Sequence, residues 1–385
     1  MERPQREQPH EPTQEQALER LGEAAGTKPV PDHEPGRGPG LADLQRAREP
    51  GRGRQADTPL EVPPRGWKDI LLRTKREVTE DQLALVAAGV AFYFMLALFP
   101  ALLAIVSFYG FVADPATVAK QAGTLMRLMP ADATKLLVDQ MQQITTADDT
   151  AAGLGAALAI ALAFWSAANG TKALLAGLNI AYDERERRGF VRLNVLAMTL
   201  TLGFIAMVIG SLALITAVPH LIERLPLRDL GELLAYAVTW LLLATLALLG
   251  FAVMYRFGPS REHPRWQWVS VGSLVATALW LLASLVFSWY SARFGSFNKT
   301  YGTLAGGILL LLWLQITAYV TLLGAELNAE IEHQTARDST TGVPQPLGAR
   351  GAEMADTVGE AAGARRRPRR LATERFLAWR RRWRA

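Results

Sequence analysis

Two charged side chains mark where chemistry could sit in this chain, because each closes an uncharged run of at least 22 residues. Lys172 ends the stretch Trp165-Ser-Ala-Ala-Asn169-Gly-Thr171-Lys172, and Glu326 lies in Gly324-Ala-Glu326-Leu-Asn328-Ala-Glu330. An ionisable group at the edge of an apolar run is costly unless it is paired or solvated, so such groups are functional candidates by default. Lys172 and Glu326 are expected at similar depth on one side of a membrane, which permits an ion pair with Asn169, Thr171 and Asn328 close by. A snorkelling lysine and a solvated glutamate are the competing expectation. Inside the runs the polar groups are few. Of Gln315, Thr317 and Tyr319 in the sixth run, Gln315 is the most expensive to turn toward lipid. Pro100 removes a backbone hydrogen bond from a long helix and predicts a kink. The segment Arg293 to Gly302, with Asn298 and Tyr301, reads as a tight polar turn joining two helices.

Several chemistries are excluded by composition. With no cysteine there is no disulfide, thiolate metal site or thiol nucleophile, and the five histidines are scattered. The segment Ala151 to Ala159 (AAGLGAALA) lacks both the preceding strand and the following Lys-Ser/Thr of a nucleotide loop. In Asp183-Glu184-Arg185-Glu186-Arg187-Arg188 the carboxylates are balanced by arginines, which argues against a metal-dependent nuclease centre. No catalytic, cofactor or metal site is expected, and the chain is read as a non-enzyme.

The elements that position these residues follow from hydropathy. Of 385 residues, 50% are hydrophobic. Uncharged runs at 83–112, 150–171, 193–222, 233–255, 266–292 and 300–325 each exceed the roughly 20 residues needed to cross a bilayer as a helix. The fold class read from this is all-α: a polytopic membrane protein with six transmembrane helices, spanning about 84–112, 151–171, 194–219, 233–255, 268–291 and 302–325. The domain so defined covers 65–335. The first run is too long and too late for a cleaved signal and is expected to act as an anchor. Thirteen Lys and Arg fall in 65–82, 172–192 and 256–265, against seven in the alternate connections, so both termini are predicted cytoplasmic.

Between the first two runs, Val118, Ala122, Leu125 and Met129, then Ala133, Leu137, Met141 and Ile144, form two stripes separated by Pro130, which predicts an outer helical hairpin. Gly66 to Gln82 is predicted to be a short amphipathic helix, with Arg65, Lys68, Arg73, Lys75 and Arg76 on lipid headgroups. Residues 1–64 hold 11 of the 21 prolines and are expected to be disordered, as is 336–385. The latter ends in a basic amphipathic segment with Ala372, Phe376, Trp379 and Trp383 on one stripe, suited to an anionic leaflet. Membrane lipids are therefore the expected partners, with no specific nucleic acid. Gly302, Ala305, Gly306 and Gly307 allow close helix approach and make the sixth run central.

Four blocks, Gly89 to Leu103, Trp165 to Phe190, Tyr255 to Leu281 and Phe287 to Glu330, resemble the YihY/virulence factor BrkB family of bacterial inner-membrane proteins, over roughly residues 66 to 335. The resemblance implies an envelope protein with a transport role and no defined reaction; members have carried the label ribonuclease BN. It singles out Tyr93, Phe99, Pro100, Trp165, Gly170, Asn179, Tyr182, Gly295, Asn298, Tyr301, Gly302, Trp313, Gly324, Glu326, Leu327 and Asn328. Val271 and Gln315 stand where the family often has proline and tyrosine. The candidate substrate-path or structural residues are thus Tyr93, Pro100, Trp165, Asn169, Lys172, Asn179, Asn298, Tyr301, Gln315, Glu326 and Asn328. So few ionisable groups within the runs leave a proton relay or a site for a highly charged solute without support. A transporter or flippase-like role for a hydrophobic or amphipathic molecule, a lipid included, is the expected function. A non-transporting envelope scaffold is the alternative, and a ribonuclease is not expected.

Overall fold

The computed structural model describes residues 39–112, 149–223, 230–293 and 303–362. Among these the chain is helical, with one isolated bridge between Pro264 and Thr340. A short helix, α1 (Leu41–Arg46), and a 3-10 turn (Pro59–Glu61) precede α2 (Pro64–Glu80). Six long helices follow: α3 (Leu83–Val112), α4 (Asp149–Ala181), α5 (Phe190–Glu223), α6 (Leu230–Phe257), α7 (Trp266–Arg293) and α8 (Thr303–Glu332). A four-residue helix, α9 (Glu353–Asp356), ends the described chain. Each long helix packs on the next in sequence, and α8 closes the ring on α3 while also touching α2, α4 and α6. The central place of the sixth run is therefore found.

Four helices, α5 to α8, are long and apolar enough in their described parts to cross a membrane. A fifth span results if α2 and α3, bent by 60°, are taken together. The bend does not sit at Pro100, through which α3 continues. It falls at the break after α2, where Gln82 has φ +51°. A left-handed residue there ends one helix and redirects the chain into the next. The predicted outer hairpin, the turn holding Asn298 and Tyr301, and the basic stripe near the C-terminus lie outside the described residues.

The buried residues gather at one end of the ring, here called the base. Leu83, Ala87 and Val90 of α3, Leu174, Leu175 and Leu178 of α4, Met254 and Tyr255 of α6, Ala276 of α7 and Leu322, Ala325 and Ala329 of α8 form one cluster there. Toward the other end burial thins, and the buried described residues there include Val218 and Ile222 near the end of α5. No described residue between Leu233 and Phe251 of α6, Leu202 and Ala217 of α5, or Ala278 and Arg293 of α7 is buried.

The expectation of disorder fails for 39–64 and for 336–362, which cover the base. Arg54 donates to the carbonyls of Gln334 and Gly359, Arg46 to that of Val358, and the Asp43 carboxylate accepts the Val358 N–H. Arg350, itself buried, holds the carbonyls of Ala336, Arg337 and Ala355. Ala56 and Val62 pack against Ile70, Trp268 and Ile331, and Met354 joins the main core. These segments have no apolar period because backbone carbonyls bound by arginine, not a hydrophobic face, hold them in place. Within α2 one headgroup assignment also fails, since Arg73 is 3% exposed and faces α8.

Candidate functional site

The base is built on the last turns of α8. Gly324 meets Gly272 of α7 so closely that a Cβ on Gly324 would stand 2.7 Å from the Ala276 Cβ and collide with the Tyr255 hydroxyl. Close approach thus occurs here and not at Gly306, which has open space around it, or at Gly307, whose nearest neighbour is the end of Met95 at 3.9 Å. Tyr255 donates to the Thr321 carbonyl at 2.9 Å. One turn further, the Asn328 amide brackets the start of α7, with Oδ1 accepting the Gly272 N–H at 2.8 Å and Nδ2 donating to the Val269 carbonyl at 3.2 Å.

Two buried ion pairs lie beyond. Arg73 reaches the Glu330 carboxylate at 2.5 Å and the carbonyls of Glu330 and Glu360, tying α2 and the C-terminal segment to α8. Arg261, in the turn between α6 and α7, forks onto Glu332 at 2.6 and 2.5 Å, and Ser339 donates to the same carboxylate. The Arg261 guanidinium lies 5.3 Å from the Tyr182 ring centroid. Such pairs cost desolvation, but once formed they are expensive to break. Neither arginine stood out in the sequence. The available signal was Glu326, Glu330 and Glu332 following an apolar run, which requires partners from elsewhere.

Asn179 ties the turns together. Its amide donates to Glu186 at 3.0 Å, and its carbonyl oxygen accepts the Ser260 N–H at 2.7 Å. Glu184 accepts the Glu353 N–H at the start of α9 at 2.8 Å. Burial pushes its carboxyl up to about 7. Burial works in the same direction on Glu186, but hydrogen bonds from Arg188 and Asn179 outweigh it and hold that group down to about 2. These acids therefore hold the loop and its neighbours in place.

Lys172 and Glu326 do not meet. Lys172 donates to the Asn194 oxygen at 3.0 Å and lies 5.3 Å from the Trp165 ring centroid, on the α4 side facing α5. Similar depth in a bundle does not put two groups on facing sides. Thr171 pairs with Thr201 at 2.8 Å rather than serving Glu326. Glu326 is 1% exposed, and both of its oxygens are buried with no hydrogen-bond partner. Tyr93 and Trp165 are about half exposed, Asn169, Pro100 and Gln315 are partly buried, and none of these five joins the base cluster. The site brought together is Asn179, Glu326 and Asn328 with Tyr182, Arg73, Arg261, Glu330 and Glu332.

A ring of long apolar helices with a polar, ion-paired base defines a polytopic membrane protein. The family profile described as Virulence factor BrkB matches residues 74–347. The chain belongs to the Virulence factor BrkB family. It is 29% identical over 248 residues to YfkH of Bacillus subtilis (strain 168), a protein named ribonuclease-like, covering 63% of this chain and 88% of that one. It is similar to the UPF0761 membrane protein RSc1559 of Ralstonia nicotianae (strain ATCC BAA-1114 / GMI1000), at 29% over 265 residues, covering 66% of this chain and 57% of the relative. A UPF0761 membrane protein of Tolumonas auensis (strain DSM 9187 / NBRC 110442 / TA 4) is 37% identical over 86 residues, covering 22% of this chain and 28% of that one. No solved structure matches.

Proposed function

We propose that this protein is a transporter or flippase-like protein that admits a hydrophobic or amphipathic molecule, such as a lipid, into its helix ring from the end opposite the base. On this reading α3 to α8 all cross the bacterial inner membrane, and the base with both termini faces the cytoplasm, in keeping with the charge count. The observation that carries it is the loss of burial away from the base. Side chains two apart on a helix point to nearly opposite sides. Trp240 and Leu242 of α6 are nonetheless 43% and 38% exposed, and Leu241 between them 67%. The face turned away from Leu241, with Thr239, Leu243 and Leu246, is itself only partly covered, whereas a helix in a solid bundle buries the face it turns inward. The opening is bordered by apolar residues, which suits acyl chains better than ions.

A reconstitution experiment tests this. Purified protein in liposomes carrying a photoreactive acyl-chain phospholipid should be labelled on α5 and α6, and a fluorescent lipid in those liposomes should become accessible to an impermeant quencher faster than in empty ones. Absence of both label and acceleration would refute the reading. The ribonuclease wording attached to the Bacillus relative is not adopted for this chain, because Glu184 and Glu186 are committed to loop contacts. RNA cleavage that survives purification and is lost on changing Asp183, Glu184 and Glu186 together to alanine would reverse that choice.

A further inference from the structure

Among the described residues of the base, the buried carboxyl of Glu326 has no hydrogen-bond donor and no ion-pair partner. The charged groups that act on it are carboxylates from three directions: Glu330 one turn along α8, Glu77 and Asp81 from the end of α2, and Asp183 from the end of α4. The phenols of Tyr182 and Tyr255 lie on the same side of the core. The buried cations nearby are committed, Arg73 to Glu330, with His333 at 3.5 Å from the same carboxylate, and Arg261 to Glu332. Lys172 is held by Asn194. An ionised carboxylate that is dry, without donors and ringed by like charge is the costliest state this site could hold. A metal ion would need several oxygen ligands at once. Among the described residues no group of three His, Cys, Asp or Glu could supply them.

We propose that Glu326 is a proton-binding site, its carboxyl taking one proton as counter-charge and exchanging it with the base surface past Asp81 and Asp183, both of which are partly exposed. Binding is the single step of carboxylate plus proton giving carboxylic acid, and no relay across the membrane is involved. The inference does not depend on what the ring admits. Loss of the proton would strand an anion between α8, α2 and α4, so occupancy is tied to the closed packing of the base.

The test uses the full chain in detergent. Glu184→Gln is introduced first, so that Glu184 does not contribute to the pH profile. Thermal midpoints of that protein should fall as the solution is made alkaline, and adding Glu326→Gln should flatten the profile and raise the midpoint at the alkaline end. Infrared spectra of the Glu184→Gln protein should contain a neutral-carboxyl stretch that shifts in deuterium oxide and is missing once Glu326→Gln is added. Identical profiles with and without Glu326→Gln, or no neutral-carboxyl band at any pH, would overturn the proposal. Replacing choline by sodium at constant ionic strength should leave the midpoint unchanged; a rise that depends on Glu326 would assign the site to a metal cation instead. If Glu326→Gln does not fold, the infrared band of the Glu184→Gln protein decides alone.

Discussion

Arg261 and Glu332 offer the sharpest test of how the base is held. Their side chains are 0% and 2% exposed and joined by two hydrogen bonds, so removing either leaves the other charged and dry. Arg261→Met should therefore cost about 3–5 kcal/mol, and Glu332→Leu about as much. The arginine change also removes the contact with the Tyr182 ring, worth about 0.5–2 kcal/mol, so it should be the worse of the two. The double change places two apolar side chains where two charges were and should recover most of the loss, giving a coupling of at least about 2 kcal/mol. Ser339 then loses its acceptor and the contact with the Tyr182 ring stays lost, which keeps the double variant below the parent by about 1–3 kcal/mol. Equilibrium unfolding by denaturant in mixed micelles, followed by tryptophan fluorescence, measures all four corners of the cycle. Additive losses would show that the two charges are hydrated and that the base is not a dry core.

Four further outcomes are expected. Gly324→Ala should destabilise by about 1–3 kcal/mol through overpacking against Ala276 and Tyr255, measured by the same unfolding assay, with Gly306→Ala near neutral as the control. Asn328→Ala should cost about 1–3 kcal/mol by leaving the Gly272 N–H without its acceptor, seen as faster amide exchange at the start of α7. Because Glu184 titrates near 7 when folded and near 4.5 when free, stability should be highest below about pH 4.5 and fall as pH rises toward 7, by about 2–3 kcal/mol; Glu184→Gln should remove that slope in a thermal-shift series. A single cysteine at the exposed Arg187 should be shielded from an impermeant thiol reagent in spheroplasts, while one at Lys135 or Ser296 should react, and the reverse would invert the proposed orientation.

What could be read from the sequence follows from how each part is held. The long helices are announced by composition, since uninterrupted apolarity over 20 or more residues has few other solutions. The importance of Glu326 and Asn328 was visible because polar residues at the end of such a run are costly without a purpose, whereas close helix approach was expected at Gly302 to Gly307 and is found at Gly324. Their partners were not visible. Arg73 and Arg261 look like any other arginine in a basic segment, and only the fold turns them inward. The cover of the base was misread for a related reason. Residues 39–64 and 336–362 contribute Arg54 and Arg350, each spent on backbone carbonyls far away in sequence, and such contacts leave no periodic trace. Pairing Lys172 with Glu326 failed because equal depth fixes one coordinate of a bundle and leaves the angular one open.

The uneven distribution of packing has a mechanical consequence. At the base, buried ion pairs, the Asn328 bracket and the Gly324–Gly272 crossing fix α2, α7 and α8 in one arrangement, and each tie is dry enough to be costly to break. Away from the base, α5 between Leu202 and Ala217 and α6 between Leu233 and Phe251 touch their neighbours through side chains none of which is buried, so displacing those stretches forfeits little buried area. Motion follows the cheaper path. A hydrophobic guest entering between α5 and α6 would therefore move those helices about a fixed base, and changes at Arg73 or Arg261 should alter entry only by loosening that anchor. Amide exchange in lipid nanodiscs tests this directly: the upper turns of α5 and α6 should exchange faster than the last three turns of α8, and Arg261→Met should erase the difference from the α8 side. Equal protection along all three helices would mean that the ring moves as one body and that the base anchors nothing.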